Sequence, residues 1–280
     1  MTFPLLRRLA AFTTDPRGGN PAGVWIGASL PAASEMQRIA AEVGDSETAF
    51  VAPTTGRRRT VRYYSPEAEV SFCGHATIAT GVLLGERDGE GTYRLATAVG
   101  EVPVEVRRTG GLLEASLTSV EPRQRPAGAA LVDEVLAALR WDRRELDPAL
   151  PPVRAWAGAW HLVLAVSSST TLARLDYDFD RLRRAMLAAD LTTLQLVRRE
   201  RADLFRSRNP FPVGGVVEDP ATGAAAAALG GYLRDRGLLA TPATFEIRQG
   251  EEMGRPSLLR VTVPDRGGIT VSGPAVALDG

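Results

Sequence analysis

The only cysteine of the chain and one of its two histidines lie two positions apart, in the stretch SFCGHATIATG (71–81). Cys73 and His75 could be a nucleophile with its base, a pair of metal ligands, or a helix start that happens to carry both. Two histidines and one cysteine are too few for a usual zinc site unless carboxylates complete it, so a metal is the minor hypothesis. The single thiol also excludes a racemase that works with two cysteines.

A second candidate is the glutamate in GDSETAFV (44–51), which lies among small and apolar residues. The pattern predicts that Glu47 is on a strand, but the alternation there does not decide whether its side chain is buried. A buried carboxylate at this point would be a proton-transfer group. The alternative is a strand-edge glutamate in solvent.

Two stretches align without a gap: CGHATIATGVLLGER, which begins at Cys73, and TGAAAAALGGYLRDR, which begins at Thr222. Acidic residues precede both stretches. This internal repeat predicts two related halves, each with a helix that starts at a glycine. Gly74 and Gly223 would leave backbone N–H groups uncovered at the positive helix ends, which suits a small carboxylated substrate. Chance similarity of alanine-rich helices, and glycines needed only for close packing, are the alternatives.

The composition excludes several classes of function. All 33 basic residues are arginines, and 33 acidic residues balance them. Without lysine the chain cannot form a Schiff base, with pyridoxal phosphate or otherwise, and has no Gly-Lys-Ser/Thr phosphate loop. Zero net charge favours neither nucleic acid nor a membrane surface. No run approaches the roughly 20 apolar residues of a membrane helix, so we expect a soluble, cytoplasmic protein.

The elements that position these residues are predicted from periodicity. Helices are expected at 33–43, from Gly74 onward, and at 131–140, 178–187 and 222–237, with short strands between them. The stretch 207–220 is predicted to be a loop, and Pro, Gly and charge at 119–128 indicate a domain boundary. This order of elements favours an α+β fold rather than a doubly wound parallel sheet.

Four blocks of the sequence, in the same order, resemble the phenazine biosynthesis PhzF-like family, relatives of diaminopimelate epimerase. They are GNPAGV (19–24), SETAFV (46–51), RYYSPEAEVSFCGHATIATG (62–81) and EDPATGAAAAALGGYL (218–233). The resemblance implies two pseudo-symmetric diaminopimelate epimerase-like domains, each a curved mixed sheet wrapped around a central helix. The expected domains are 1–120, completed by the C-terminal strand 267–280, and 121–266. It also implies a homodimer with the active site between the domains, and isomerisation without cofactor or metal.

Site residues follow from the resemblance by matching positions. Glu47 matches the glutamate that moves a proton within trans-2,3-dihydro-3-hydroxyanthranilate, and His75 and Asp219 match residues that orient the substrate and help handle its protons. The implied substrate-binding positions are Asn20, Ser46, Cys73, Gly74, Thr222, Gly223 and Ala224. Ala224 stands where many relatives have serine, and Thr222 stands where the epimerase branch has its second cysteine.

Three functions are therefore open. The first is a proton-shifting isomerase of a small carboxylic acid, with Glu47 as base and then acid. The second is an amino-acid epimerase or racemase that uses a different pair of bases, such as Glu47 with His75. The third is a catalytically silent carboxylate-binding or scaffold protein. His161 is expected to be a core or strand-edge histidine rather than a site residue.

Overall fold

The structure is a computed structural model that describes residues 4–278. The chain divides into two compact units. The first contains the described residues up to Thr118 together with those from Ser272 onward, and the second contains Ser119–Val271. Within residues 4–278, no helix is long and apolar enough to cross a membrane.

The described residues form seventeen strands and six α-helices. The strands are β1 Leu5–Ala11, β2 Asn20–Ile26, β3 Thr48–Pro53, β4 Arg58–Tyr64, β5 Glu69–Val70, β6 Gly91–Thr97, β7 Gly100–Thr109, β8 Leu112–Thr118, β9 Arg123–Pro126, β10 Val153–Trp156, β11 Trp160–Ala165, β12 Thr193–Arg201, β13 Leu204–Phe211, β14 Val216–Asp219, β15 Ala243–Gln249, β16 Ser257–Val263 and β17 Thr270–Ala277. The helices are α1 Ala33–Val43, α2 Gly74–Asp88, α3 Ala129–Leu139, α4 Ser169–Ala173, α5 Phe179–Ala188 and α6 Gly223–Asp235.

The first unit is a mixed sheet in the order β17-β1-β2-β3-β4-β6-β7-β8. The pairs β2–β3 and β4–β6 are parallel, while the remaining neighbours are antiparallel. A parallel pair needs a crossover, and α1 and α2 supply the two that are required. Phe50 and Trp25 of the sheet pack with Met36 of α1 in a small core.

Helix α2 is the centre of this first unit. Every residue from His75 to Gly85 is buried, so the helix is covered on all sides, as expected for a sequence without a polar face. Gly81 and Gly85 permit this close packing. A Cβ at Gly85 would lie 2.5 Å from a methyl carbon of Val106 on β7, and one at Gly81 would lie 2.8 Å from Ala115 on β8.

The second unit is also a mixed sheet, in the order β9-β10-β11-β12-β13-β15-β16. Its parallel pairs are β11–β12 and β13–β15. One face carries leucines such as Leu162 and Leu194, which pack with α3 and α5. The alanine-rich α6, buried from Ala225 to Leu233, packs against β10, β11 and β16.

Two local predictions are wrong. The stretch 207–220 was expected to be a loop, but β13 runs to Phe211 and pairs with β14, with Asn209 opposite Asp219. Its prolines and glycines do not prevent this pairing, because the ladder is irregular beside Pro210 and the glycines form the turn. Glu47 does not lie within a strand, because β3 begins one residue later.

Candidate active site

Glu47 lies in a short connection between α1 and β3. Gly44 ends α1 in a left-handed conformation (φ 71°), and its N–H bonds to the carbonyl of Ala40. The carbonyl of Glu47 then accepts a hydrogen bond of 3.1 Å from the N–H of Gly23 on β2. The backbone of Glu47 is therefore fixed at the edge where the parallel pair β2–β3 begins.

The two acids in this connection have different surroundings. The guanidinium of Arg8 donates to both carboxylate oxygens of Asp45, at 2.9 and 2.5 Å. The side chain of Glu47 is only 19% exposed, yet no arginine among residues 4–278 lies within ion-pair distance of it. The negative charge of Asp45 is thus balanced by Arg8, whereas the carboxylate of Glu47 has no arginine partner.

The neighbours of the Glu47 carboxylate are a thiol and an imidazole. Cys73 Sγ lies 3.5 Å from Glu47 Oε2, and His75 Nε2 lies 3.4 Å from the same oxygen. Cys73 Sγ is also 3.4 Å from His75 Nδ1, and the hydroxyl of Ser46 is 3.2 Å from His75 Nε2. The fold therefore brings together four predicted site residues, Ser46, Glu47, Cys73 and His75, which we call the Glu47 cluster.

Helix α2 supplies Cys73 and His75 at its first turn. Cys73 is the N-cap residue, but no side chain caps the first amide groups. A Cβ placed on Gly74 would meet no atom within 4 Å, so close packing does not explain this glycine. The helix start presents backbone donors at the positive end of its dipole, beside the Glu47 cluster.

Tyr63 lies behind this helix start and is fully buried. Its hydroxyl is 2.7 Å from that of Thr77, which donates to the carbonyl of Cys73 at 2.6 Å. Burial raises the pKa of Tyr63 well above its usual range, although the bond to Thr77 opposes this effect. Tyr63 is thus held in its neutral form and supports the start of α2 through the hydroxyl of Thr77.

In the second unit, Asp219 is the last residue of β14 and Thr222 is the N-cap residue of α6. The hydroxyl of Thr222 donates to Asp219 Oδ2 at 2.5 Å. Gln249 Nε2 donates to the carbonyl of Asp219 at 2.7 Å and to the Thr222 hydroxyl at 3.1 Å, and its Oε1 accepts from the N–H of Thr222 at 3.3 Å. We call these three residues the Asp219 cluster.

Gln249 is a member of the Asp219 cluster that the sequence did not reveal. It is 1% exposed, at the end of β15, and three of its hydrogen bonds hold the turn before α6. A glutamine at a strand end gives no signal by itself. The following Gly250 could have drawn attention to it, because a glycine directly after a strand is typical of a tight turn. In the structure this glycine has φ 75°, and a Cβ there would lie 2.4 Å from the carbonyl of Arg255.

A buried ion pair fixes the strand that carries Asp219. The guanidinium of Arg208 on β13 donates to both carboxylate oxygens of Glu218, at 3.0 and 2.5 Å, and also to the carbonyl of Ala173. Both charged side chains are less than 10% exposed. Glu218, paired with arginine, directly precedes Asp219. In the same way Asp45, paired with arginine, lies two residues before Glu47.

The other predicted positions lie at the ends of elements. Asn20 begins β2 and is buried, three residues before Gly23. Gly223 and Ala224 form the first turn of α6, where no side chain caps the helix and both residues remain partly accessible. The first turn of α6, like that of α2, contains no acidic residue.

His161 is buried in the sheet of the second unit, as expected for a core histidine. Its Nδ1 is 2.8 Å from the hydroxyl of Thr193, and Asn209 Nδ2 donates to that hydroxyl and to Gln195 Oε1. Nε2 of His161 has no hydrogen-bond partner in residues 4–278. Burial lowers the pKa of His161 to about 3, so the ring is neutral in the folded protein near neutral pH.

The sequence model of the family described as phenazine biosynthesis-like protein matches residues 9–280. This chain belongs to that family. It is 33% identical over 251 residues to the trans-2,3-dihydro-3-hydroxyanthranilate isomerase of Pseudomonas chlororaphis, covering 89% of this chain and 86% of the relative. It is also 33% identical to an isomerase of Deinococcus radiodurans, over 95% of this chain and 89% of the relative.

The fold comparison agrees. The crystal structure of a Bacillus anthracis phenazine biosynthesis protein of the PhzF family has a TM-score of 0.88 with this chain at 23% identity, covering 99% of this chain and 98% of that one. The sheet-dominated mixed fold of the family is thus confirmed. With the named relatives, these findings identify the chain as a PhzF-like isomerase.

Proposed function

We propose that this PhzF-like isomerase moves a proton within a small carboxylic acid, without a cofactor, and that Glu47 carries the proton. The main support is the Glu47 cluster. It contains a mostly buried carboxylate without an arginine partner, 3.4 Å from an imidazole and beside an uncapped helix start. The relatives that act on dihydro-hydroxyanthranilate suggest a substrate of similar chemistry.

In the proposed reaction the Glu47 carboxylate removes a proton from carbon and returns it to another carbon of the same molecule. Electron density shifts toward the substrate carboxylate, and the N–H groups at the start of α2 stabilise the added negative charge. His75 bonds to the charged form of the substrate and keeps Glu47 oriented. From the family resemblance we propose further roles in substrate binding for Asp219, the first turn of α6 and Asn20.

The geometry of the Glu47 cluster argues against an epimerase that uses Glu47 and His75 as opposed bases. Two such bases must each reach the same carbon from opposite faces, which places them about 6 Å apart. His75 Nε2 and Glu47 Oε2 are 3.4 Å apart, so a carbon atom does not fit between them. A single carboxylate that removes and returns the proton fits this spacing.

The test is incubation of the chain in D2O with small cyclic carboxylic acids, including dihydro-hydroxyanthranilate, followed by mass spectrometry and NMR. We expect a product of unchanged formula with a shifted double bond, and with hydrogen transferred internally or exchanged with solvent. Glu47→Gln should abolish turnover, while Glu67→Gln, at an exposed position, should not. Full turnover by Glu47→Gln would overturn the assignment.

The remaining expectations come from the family resemblance. We propose a cytoplasmic homodimer that needs neither metal nor cofactor for turnover, and that has no nucleic-acid or membrane partner. Light scattering at several protein concentrations tests the dimer. Turnover that persists after exhaustive dialysis against chelator tests the independence from metal.

A further inference from the structure

We propose that Glu47, Cys73 and His75 form a binding site for a thiophilic divalent cation such as Zn²⁺ or Co²⁺, and that the bound metal inhibits the isomerase. The metal site stands on the geometry of the three side chains. Only the inhibition rests on the proposed function.

The spacing of the three donor atoms suits one metal ion. Cys73 Sγ, His75 Nε2 and Glu47 Oε2 are separated by 3.7, 3.5 and 3.4 Å. Zinc bonds of about 2.3 Å to sulfur and about 2.0–2.1 Å to nitrogen and oxygen, at tetrahedral angles, place donors about 3.4–3.6 Å apart. Cys73 Sγ is nearer to His75 Nδ1, at 3.4 Å, than to Nε2, so the imidazole ring turns when the metal binds, to aim Nε2 at the ion.

The charge of the site also suits a divalent cation. Other buried or half-buried carboxylates, such as Asp45, Asp88 and Glu218, lie beside an arginine, whereas Glu47 does not. A thiolate and a carboxylate supply two negative charges, which a divalent ion neutralises without displacing an arginine. The thiol proton is released to the buffer as the metal–sulfur bond forms.

Burial and donor type set the selectivity of this site. Cys73 and His75 are 7% exposed, so two of the three ligands bind away from bulk water. Thiolate and imidazole prefer zinc and cobalt over magnesium and calcium, which need more oxygen ligands. Three protein ligands leave a fourth position for water or for a substrate carboxylate.

Bound metal would stop the proposed reaction in a direct way. The lone pair of Glu47 that accepts the substrate proton would be bonded to the ion, and His75 would be held by it. Turnover should therefore fall as Zn²⁺ is added and return when EDTA removes it.

The decisive measurement uses Co²⁺ alone, added to the metal-free full-length chain. We expect one equivalent to bind, with a sulfur-to-cobalt charge-transfer band and release of about one proton per ion. Cys73→Ser should lose the band, and Glu47→Gln should keep it with at least about tenfold weaker binding. Glu67→Gln, on the exposed surface of the same unit, is the matched control and should bind as the parent does.

Circular dichroism shows whether each variant is folded, and Glu47→Gln gives the answer if Cys73→Ser is not. Binding without the band, or equal affinity in all variants, would overturn the metal site. Full turnover by protein that is saturated with Zn²⁺ would overturn the inhibition. If the metal binds as expected but no carboxylic acid is isomerised, the proposed function fails while the metal site stands.

Discussion

The starts of α2 and α6 are built on the same local plan but hold their acids differently. Each helix begins with a glycine after a small polar N-cap residue and has no side-chain cap. At α2 the carboxylate of Glu47 faces a thiol and an imidazole, which can exchange protons. At α6 the carboxylate of Asp219 accepts a short bond from the Thr222 hydroxyl, and Gln249 fixes the turn. This difference is the structural basis for the roles that we propose, in which Glu47 moves the proton and Asp219 orients charge.

The largest expected effect separates these two acids. Glu47→Gln removes the group that carries the proton, so kcat should fall by at least about 10³-fold. Asp219→Asn keeps the shape and the bond from Thr222 and removes only a charge, so we expect a loss of about 10²-fold. Steady-state rates with the same substrate measure both variants. Equal losses, or a larger loss for Asp219→Asn, would contradict the division of roles.

Whereas His75 lies at the start of α2, His161 is buried in the second unit and should make the stability of the fold depend on pH. The pKa of His161 is about 3 in the folded chain and about 6.5 when unfolded, so only the unfolded chain gains this proton between these values. The stability that neutral His161 contributes is complete above pH about 6.5 and is lost as the pH falls, by about 1.4 kcal/mol per pH unit. His161→Gln should remove this part of the acid sensitivity.

Urea unfolding of the parent and His161→Gln at several pH values between about 3 and 7 measures this effect. The difference in unfolding free energy between the two proteins should change with pH, in favour of the variant as the solution becomes more acidic. Parallel curves would show that His161 does not remain neutral in the folded chain.

Gln249 should matter to the Asp219 cluster through structure. Gln249→Leu removes three hydrogen bonds, one to the carbonyl of Asp219 and two to the hydroxyl and N–H of Thr222, which should cost about 2 kcal/mol of unfolding free energy. Denaturant unfolding measures the loss. Arg248→Leu, at an exposed position one residue before Gln249 on β15, serves as the control. An unchanged midpoint for Gln249→Leu would mean that the turn before α6 is held by other contacts.

The smallest effect is expected from adding a hydroxyl at position 224, where the family resemblance implies a serine. Ala224→Ser adds one polar group to a partly accessible first helical turn, so stability should change by less than about 0.5 kcal/mol. If this turn binds the substrate carboxylate, KM should fall a few-fold while kcat stays the same. A kcat that changes more than KM would place Ala224 closer to the reacting carbon than we propose.

The sequence predicted the helices that matter most. Expected helices at 33–43 and from Gly74 agree with α1 and α2, because their apolar pattern and terminal glycines are strong local signals. Glu47, Cys73 and His75 were candidates from their residue types and again from the resemblance, and the fold does bring them together. Gln249 and the Arg208–Glu218 pair were not predicted, because their importance comes from burial and from partners ten or more residues away, which no local pattern encodes.

Other predictions remain as they were made. The domain limits at 120 and 266 and the pseudo-symmetry of the two units stay predictions, as do the roles of Asn20 and Ala224. Which strands pair in each unit depends on residues that are far apart in the sequence, and a local pattern does not reveal such pairs. In the stretch 207–220 the prolines and glycines are typical of a loop, and for this reason the hairpin there was not predicted.

The complete burial of α2 has a consequence for the dynamics of the site. Amide hydrogens in the middle of a helix that is covered on all sides exchange with solvent only when the whole unit opens. Cys73 and His75 are therefore attached to the slowest-opening part of the first unit, while Glu47 belongs to a connection that can open locally. A ligand that bridges these residues should slow amide exchange around residues 44–48 and leave the centre of α2 as it was.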